Sequence, residues 1–70
     1  MTGQLFLNEK NHLQLDTQEI ETGVALEVLI VDGTDNRVKW IETTVEYGIE
    51  GYYLTNLLGY SPIGLFAKIK

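Results

Sequence analysis

A near-continuous apolar segment followed by a turn signal limits the fold most. Val24–Val31 contains Glu27 as its single polar residue, and its length and β-branched content favour a strand over a helix. Asp32–Asn36 is a turn signal, and Arg37–Tyr47 follows it with a second alternating run. We therefore expect two long antiparallel strands joined at this turn. The continuous apolar run predicts a central first strand with much of both faces covered.

The second of these strands changes phase in its middle. Val38 and Trp40 occupy even positions, whereas the later apolar and aromatic residues occupy odd ones: Ile41, Val45 and Tyr47, with Thr43 between them. A one-residue bulge or a sharp bend near Trp40 and Ile41 would bring both sets to one face. The sequence predicts such a bulge or bend.

Shorter elements flank this pair. Gln4–Asp16 alternates about a polar centre and is typical of a hairpin, whereas Asp16–Thr22 is polar and predicts a loop with one short helical turn. Tyr52–Thr55 and Gly64–Lys70 predict two further short strands. The sequence therefore predicts five or six short strands and no long helix.

Seventy residues without cysteine exclude a disulfide scaffold, a zinc ribbon and a thiol enzyme. In so small a chain the apolar residues are nearly all needed for the core, and no cofactor cavity is expected. The sequence therefore predicts one all-β domain over residues 1–70, a small, strongly bent antiparallel barrel of the SH3-like kind with five to six strands. An OB-like barrel is the alternative.

Charge is unevenly placed along the chain. Residues 1–35 hold seven acidic side chains against one basic, whereas residues 36–70 have a net charge of +1. This balance disfavours nonspecific nucleic-acid binding, which needs a basic surface. No apolar run reaches the length of a membrane span, and Met1–Leu15 lacks a signal-peptide pattern, so we expect a cytoplasmic protein without membrane contact.

Three segments carry a family resemblance: Lys39–Tyr47, Tyr52–Leu54 and Gly64–Ile69. They resemble the short bacterial and phage proteins of domain-of-unknown-function family 5348, and Leu26–Val28 is similar to the preceding strand of that family. Val24-Ala25 stands where the family usually has Gly-Asp, and Tyr52 where it often has Trp. The resemblance implies a small barrel and a bacterial or mobile-element setting, and it implies no reaction.

Catalytic and metal-binding patterns are not found in the sequence. His12 is expected on the solvent-exposed side of the first hairpin, without the partner and pocket that a catalytic base needs. Ser61 precedes Pro62 and is interpreted as a turn residue. Asp32–Asn36 does not have the spacing of a calcium loop. We therefore expect no enzyme, no metal site and no cofactor.

The aromatic residues are the remaining candidates for function. Strand alternation places Phe6, Trp40, Tyr53 and Phe66 opposite the main core, and Tyr60 lies in the loop before the last strand. The phase change beside Trp40 leaves the direction of that ring ambiguous. Rings on an outer face supply contact area for a protein partner at low entropy cost. Rings that cap the barrel or form a minor core are the alternative. The candidate binding residues are Trp40, Tyr53, Tyr60 and Phe66.

The sequence thus favours a small interaction module that binds an unidentified protein through an aromatic surface. An acidic protein that occupies the nucleic-acid-binding site of a partner is one alternative, because of the acidity of residues 1–35. A purely structural domain is another, in which Ala25, Leu29 and Val31 meet a second copy to form a homodimer.

Overall fold

The protein consists of short antiparallel strands. The computed structural model describes residues 1–69, apart from the side chain of Asp32, and contains no helix in that range. Lys70, assigned to the last strand from the sequence, lies outside the described residues. No segment in residues 1–69 forms a helix long and apolar enough to cross a membrane. The strands are β1 (Thr2–Leu7), β2 (Leu13–Leu15), β3 (Gln18–Glu19), β4 (Ala25–Asp32), β5 (Arg37–Gly48), β6 (Gly51–Leu54) and β7 (Phe66–Lys68).

The strands form one curled sheet in the order β3-β2-β1-β7-β4-β5-β6. The predicted all-β, strongly bent antiparallel barrel is confirmed, with the sheet curled about its core as a half-barrel. The sheet has seven strands because β3 pairs with β2 where a loop with a helical turn was expected. A positive φ of 54° at Asp16 turns the chain back, and Ile20 then donates a backbone hydrogen bond to Leu13 and enters the core.

Alternate residues of β4 build the centre of the core. Leu26, Val28 and Ile30 are buried, whereas Ala25 and Val31 on the opposite face are exposed. The expectation that both faces of this strand are largely covered is therefore wrong, because the sheet curls around one side only. The buried apolar cluster comprises Leu5, Leu13, Leu15, Ile20, Leu26, Val28, Ile30, Val45, Leu54 and Ala67.

The β4–β5 hairpin is confirmed, and it is regular. Eight consecutive pairs run from Ala25 and Thr44 to Asp32 and Arg37, without a bulge at Trp40 or Ile41. The predicted bulge is wrong because Val38 and Trp40 do not face the core. They point to the other side of the sheet, while Ile41, Thr43 and Val45 point inward.

Thr43 is a buried polar residue on the core face of β5. Its side chain is 4% exposed, and its hydroxyl has no hydrogen-bond partner in the described part of the chain. Thr43→Val removes a desolvated hydroxyl at nearly constant volume, and we expect it to raise the free energy of unfolding by about 1 kcal/mol.

Urea unfolding measures this change. Thr44→Val is the matched control, because Thr44 is half-buried on the opposite face, and its effect should stay within about 0.5 kcal/mol. A loss of stability in T43V would show that the hydroxyl makes a hydrogen bond in solution.

Candidate protein-binding surfaces

The side of the sheet opposite the core is apolar in its middle, and we call this apolar middle part the outer face. Antiparallel pairing sets Leu29 beside Trp40 and Val31 beside Val38. Leu29 and Val31 point away from the core, because Val28 and Ile30 next to them are buried in it. Their partners Trp40 and Val38 point the same way, because residues paired across a ladder share a face. The phase change in the sequence therefore marks a second apolar surface.

Strands β7 and β1 extend the outer face. Val28 pairs with Ala67, so the next position of the same ladder brings Phe66 beside Leu29. Phe66 in turn pairs with Gln4, and Phe6 follows Gln4 on the same side of β1. One continuous row across the sheet thus contains Gln4, Phe66, Leu29 and Trp40.

The outer-face side chains are substantially open to solvent. Val31 is 63% exposed, Val38 57%, Phe66 49%, Phe6 40% and Trp40 39%. Together they present roughly 400–500 Å² of apolar surface, taking about 200 Å² for a whole aromatic ring. Patches of about 300–600 Å² are the largest that ordinary monomers carry, and they are often functional.

A charged row borders this surface. The ammonium nitrogen of Lys68 lies 4.4 Å from the centre of the Trp40 ring and 3.2 Å from a carboxylate oxygen of Glu27. Glu27 also pairs across the ladder with Glu42. The cation therefore neutralises part of an acidic border and covers part of the indole.

Tyr53 and Tyr60 line a separate depression, which we call the tyrosine groove. Tyr53 pairs with Glu46 at the far end of β5, about 20 Å along the strand from Trp40. The groove is open and has a volume of about 840 Å³; its wall is formed by the β5–β6 turn and by residues 58–61. The ring of Tyr53 lies so close to Gly48 that a Cβ there would be 3.2 Å from it.

The four candidate aromatic residues thus do not form one surface. Trp40, Phe66 and Tyr53 all lie on the side of the sheet opposite the core. Tyr53 is about 20 Å along the strand from Trp40, however, and lines the tyrosine groove with Tyr60. The sequence analysis did not predict Val38 as a binding residue, although its even position, shared with Trp40, indicates that it lies on the same face as Trp40. It also missed Ile49 and Leu58 of the groove, which are 106% and 73% exposed. No pattern in the sequence marks these two.

The first hairpin carries a small polar cluster around Glu19. Its carboxylate accepts hydrogen bonds from the Asn8 amide at 2.6 Å and lies 3.3 Å from Nδ1 of His12. These contacts, first that of Asn8 and then that of His12, hold the pKa of Glu19 below its ordinary 4.5. His12 is exposed, as predicted. Within residues 1–69, no three His, Asp or Glu side chains gather in a way that could hold a metal ion.

Comparison with known proteins identifies the family. The sequence model of the family described as "Domain of unknown function (DUF5348)" matches residues 3–66, nearly the whole chain. The chain belongs to this family, so the resemblance noted in its second half is confirmed. Searches of the curated proteins and of the solved structures found no significant match.

A double-mutant cycle tests the border of the outer face. Lys68→Gln should destabilise the protein more than Glu27→Gln, because it leaves Glu27 facing Glu42 and uncovers Trp40. Both partners are partly exposed, so we expect a coupling energy of about 0.5–1 kcal/mol that falls as salt is added. Urea unfolding at low and high salt provides the measurement.

Lys39→Gln is the control for this cycle. The ion pair of Lys39 with Asp35 spans 3.9 Å between exposed side chains, and its loss should cost under about 0.5 kcal/mol. Additive effects of E27Q and K68Q would contradict the contact between these two residues.

The Asn8 amide should control the titration of Glu19. Asn8→Asp keeps an acceptor for the backbone amides of Lys10 and His12 but loses the donor to Glu19, so the Glu19 pKa should rise. A lowered folded-state pKa adds stability above pH 4.5 that is lost as the pH falls through the folded value. The stability of N8D should lack this contribution from Glu19.

Carbon-13 NMR titration of the Glu19 carboxyl measures the shift. Asn11→Asp introduces the same charge in the adjacent turn and should change the Glu19 pKa less. An unchanged pKa in N8D would contradict the hydrogen bond from Asn8.

Proposed function

We propose that this member of the DUF5348 family is a small interaction module that binds another protein on its outer face. One observation carries the proposal: an apolar row crosses β7, β4 and β5 on the side of the sheet away from the core. Leaving such a row in water is unfavourable, and a protein partner would remove it from solvent.

The size of the outer face fits a partner of ordinary interface dimensions. A standard interface buries about 800 Å² on each side, usually as an apolar centre within a polar rim. The roughly 400–500 Å² of apolar surface would supply that centre. Gln4, Glu27 and Lys68 are placed to supply part of the rim. Obligate complexes usually bury far more, so the proposed contact is a reversible one.

Trp40 and Phe66 are the proposed anchors. Tryptophan is among the residue types that dominate binding energy, and rigid rings lose little entropy when they are buried. Because Lys68 lies over one side of the indole, that ring is already held in place. Val31 and Val38 would add contact area at the end of the hairpin.

A second copy of the chain is the second candidate partner. Leu29 and Val31, two of the three residues expected at a homodimer contact, do lie on the outer face. Ala25, the third, pairs with Thr44 beyond the row of Glu27 and lies outside the apolar part. Such a dimer would pair this face with itself about a twofold axis.

Val38→Asp tests the proposal, because it replaces one member of the exposed Val31–Val38 pair with a charged residue. Wild type, V38D and the control I63D are immobilised side by side and exposed to a bacterial cell lysate. Ile63 is 47% exposed in the loop before β7, so I63D makes a comparable change elsewhere. Wild type and I63D should retain the same amount of a partner protein, and V38D should retain at least about tenfold less.

Equal retention by all three chains would contradict the proposal, as would the absence of any specifically retained protein. Retention that is unaffected by V38D and disappears at high salt would favour the acidic alternative instead. Sedimentation equilibrium tests the second copy: a wild-type dimer that V38D converts to monomer would identify it as the partner.

A further inference from the structure

The tyrosine groove joins aromatic rings from two separate segments. Tyr53 is 39% exposed on β6, and Tyr60 is 45% exposed in the loop that follows. Ile49 and Leu58, both highly exposed, add apolar surface at its margin. Gly51 and Gly59 in the wall have open space where a Cβ would be, so an extended chain can approach their backbone.

Carboxylates stand beside these rings without a cation. Glu50 lines the groove, and Glu46 lies across the ladder from Tyr53. Neither side chain makes an ion pair or a hydrogen bond with any of residues 1–69. The residues that line the groove include no Lys or Arg. The faces of aromatic rings are themselves negative, so the groove as a whole favours a positive group.

At the border of the outer face, the chain itself supplies a cation to an aromatic ring and a carboxylate. There an aromatic ring, a carboxylate and a cation come together as Trp40, Glu27 and Lys68. In the tyrosine groove the rings and the Glu50 carboxylate are present, and the chain supplies no cation among the lining residues. A partner can supply it.

We propose that the tyrosine groove binds an arginine side chain carried on an extended segment of a partner protein. A guanidinium group is planar, so it stacks on a tyrosine ring while its edge donates hydrogen bonds to a carboxylate. The open groove, about 840 Å³ in volume, has room for the side chain and the residues on either side of it. This site is separate from the outer face and does not depend on the function proposed for it.

A peptide titration followed by NMR tests this proposal with defined probes. The probe is acetyl-Gly-Arg-Gly-amide, and the comparison peptide carries citrulline, which has nearly the same shape and no charge. The arginine peptide should give saturable shifts at the Gly51 amide and at the rings of Tyr53 and Tyr60. The citrulline peptide should bind at least about tenfold more weakly. Added salt should lower the affinity of the groove for the arginine peptide.

Two variants locate the binding. Glu50→Gln and Tyr60→Leu should each lower the affinity for the arginine peptide by about three- to tenfold. Glu9→Gln removes the same charge from an exposed turn of the first hairpin and should leave binding unchanged.

Three results would overturn the proposal: equal binding of the two peptides, shifts that centre on the Trp40 indole, or no saturable shift at millimolar peptide. The function proposed for the outer face is tested separately, by retention of a partner by wild type and its loss in V38D.

Discussion

The uninterrupted ladder between β4 and β5 is the constraint on which the rest of the molecule depends. Its eight pairs fix which side of each strand faces inward. A slip of one residue would turn Leu26, Val28 and Ile30 outward and lose the core. The same register leaves Trp40 and Val38 on the other side. The outer face is thus a direct consequence of the pairing that builds the core.

The two candidate surfaces differ in how their charges are satisfied. On the outer face Lys68 lies between Trp40 and Glu27, so the apolar row has a border that is largely neutralised. In the tyrosine groove the carboxylate of Glu50 stands beside exposed rings without a cation. The first surface is therefore suited to an apolar partner surface and the second to a positive group. An interaction module with both could hold a partner by a face and by an extended segment.

Much of the fold is predictable from local sequence, because alternation and turn residues specify strands one at a time. The β4–β5 hairpin and the outward position of Phe66 follow from parity alone, whereas the phase change in β5 leaves two directions open for Trp40. The bulge was wrongly predicted because the phase argument assumes one apolar face. Strand β3 was missed because two residues carry no periodicity, and it forms only after the turn at Asp16 brings it beside β2. The meeting of Tyr53 and Tyr60 depends on the path of a loop, which parity does not describe.

The outer face exists only if Trp40 points away from the core in a regular ladder. Nuclear Overhauser effects from the Trp40 indole protons test it most directly. We expect contacts between the indole and the side chains of Leu29, its partner across the ladder, and Lys68, which lies over the ring. Contacts between the indole and the core methyl groups of Val28 or Val45 would instead place the ring inside the barrel and rule out the outer face.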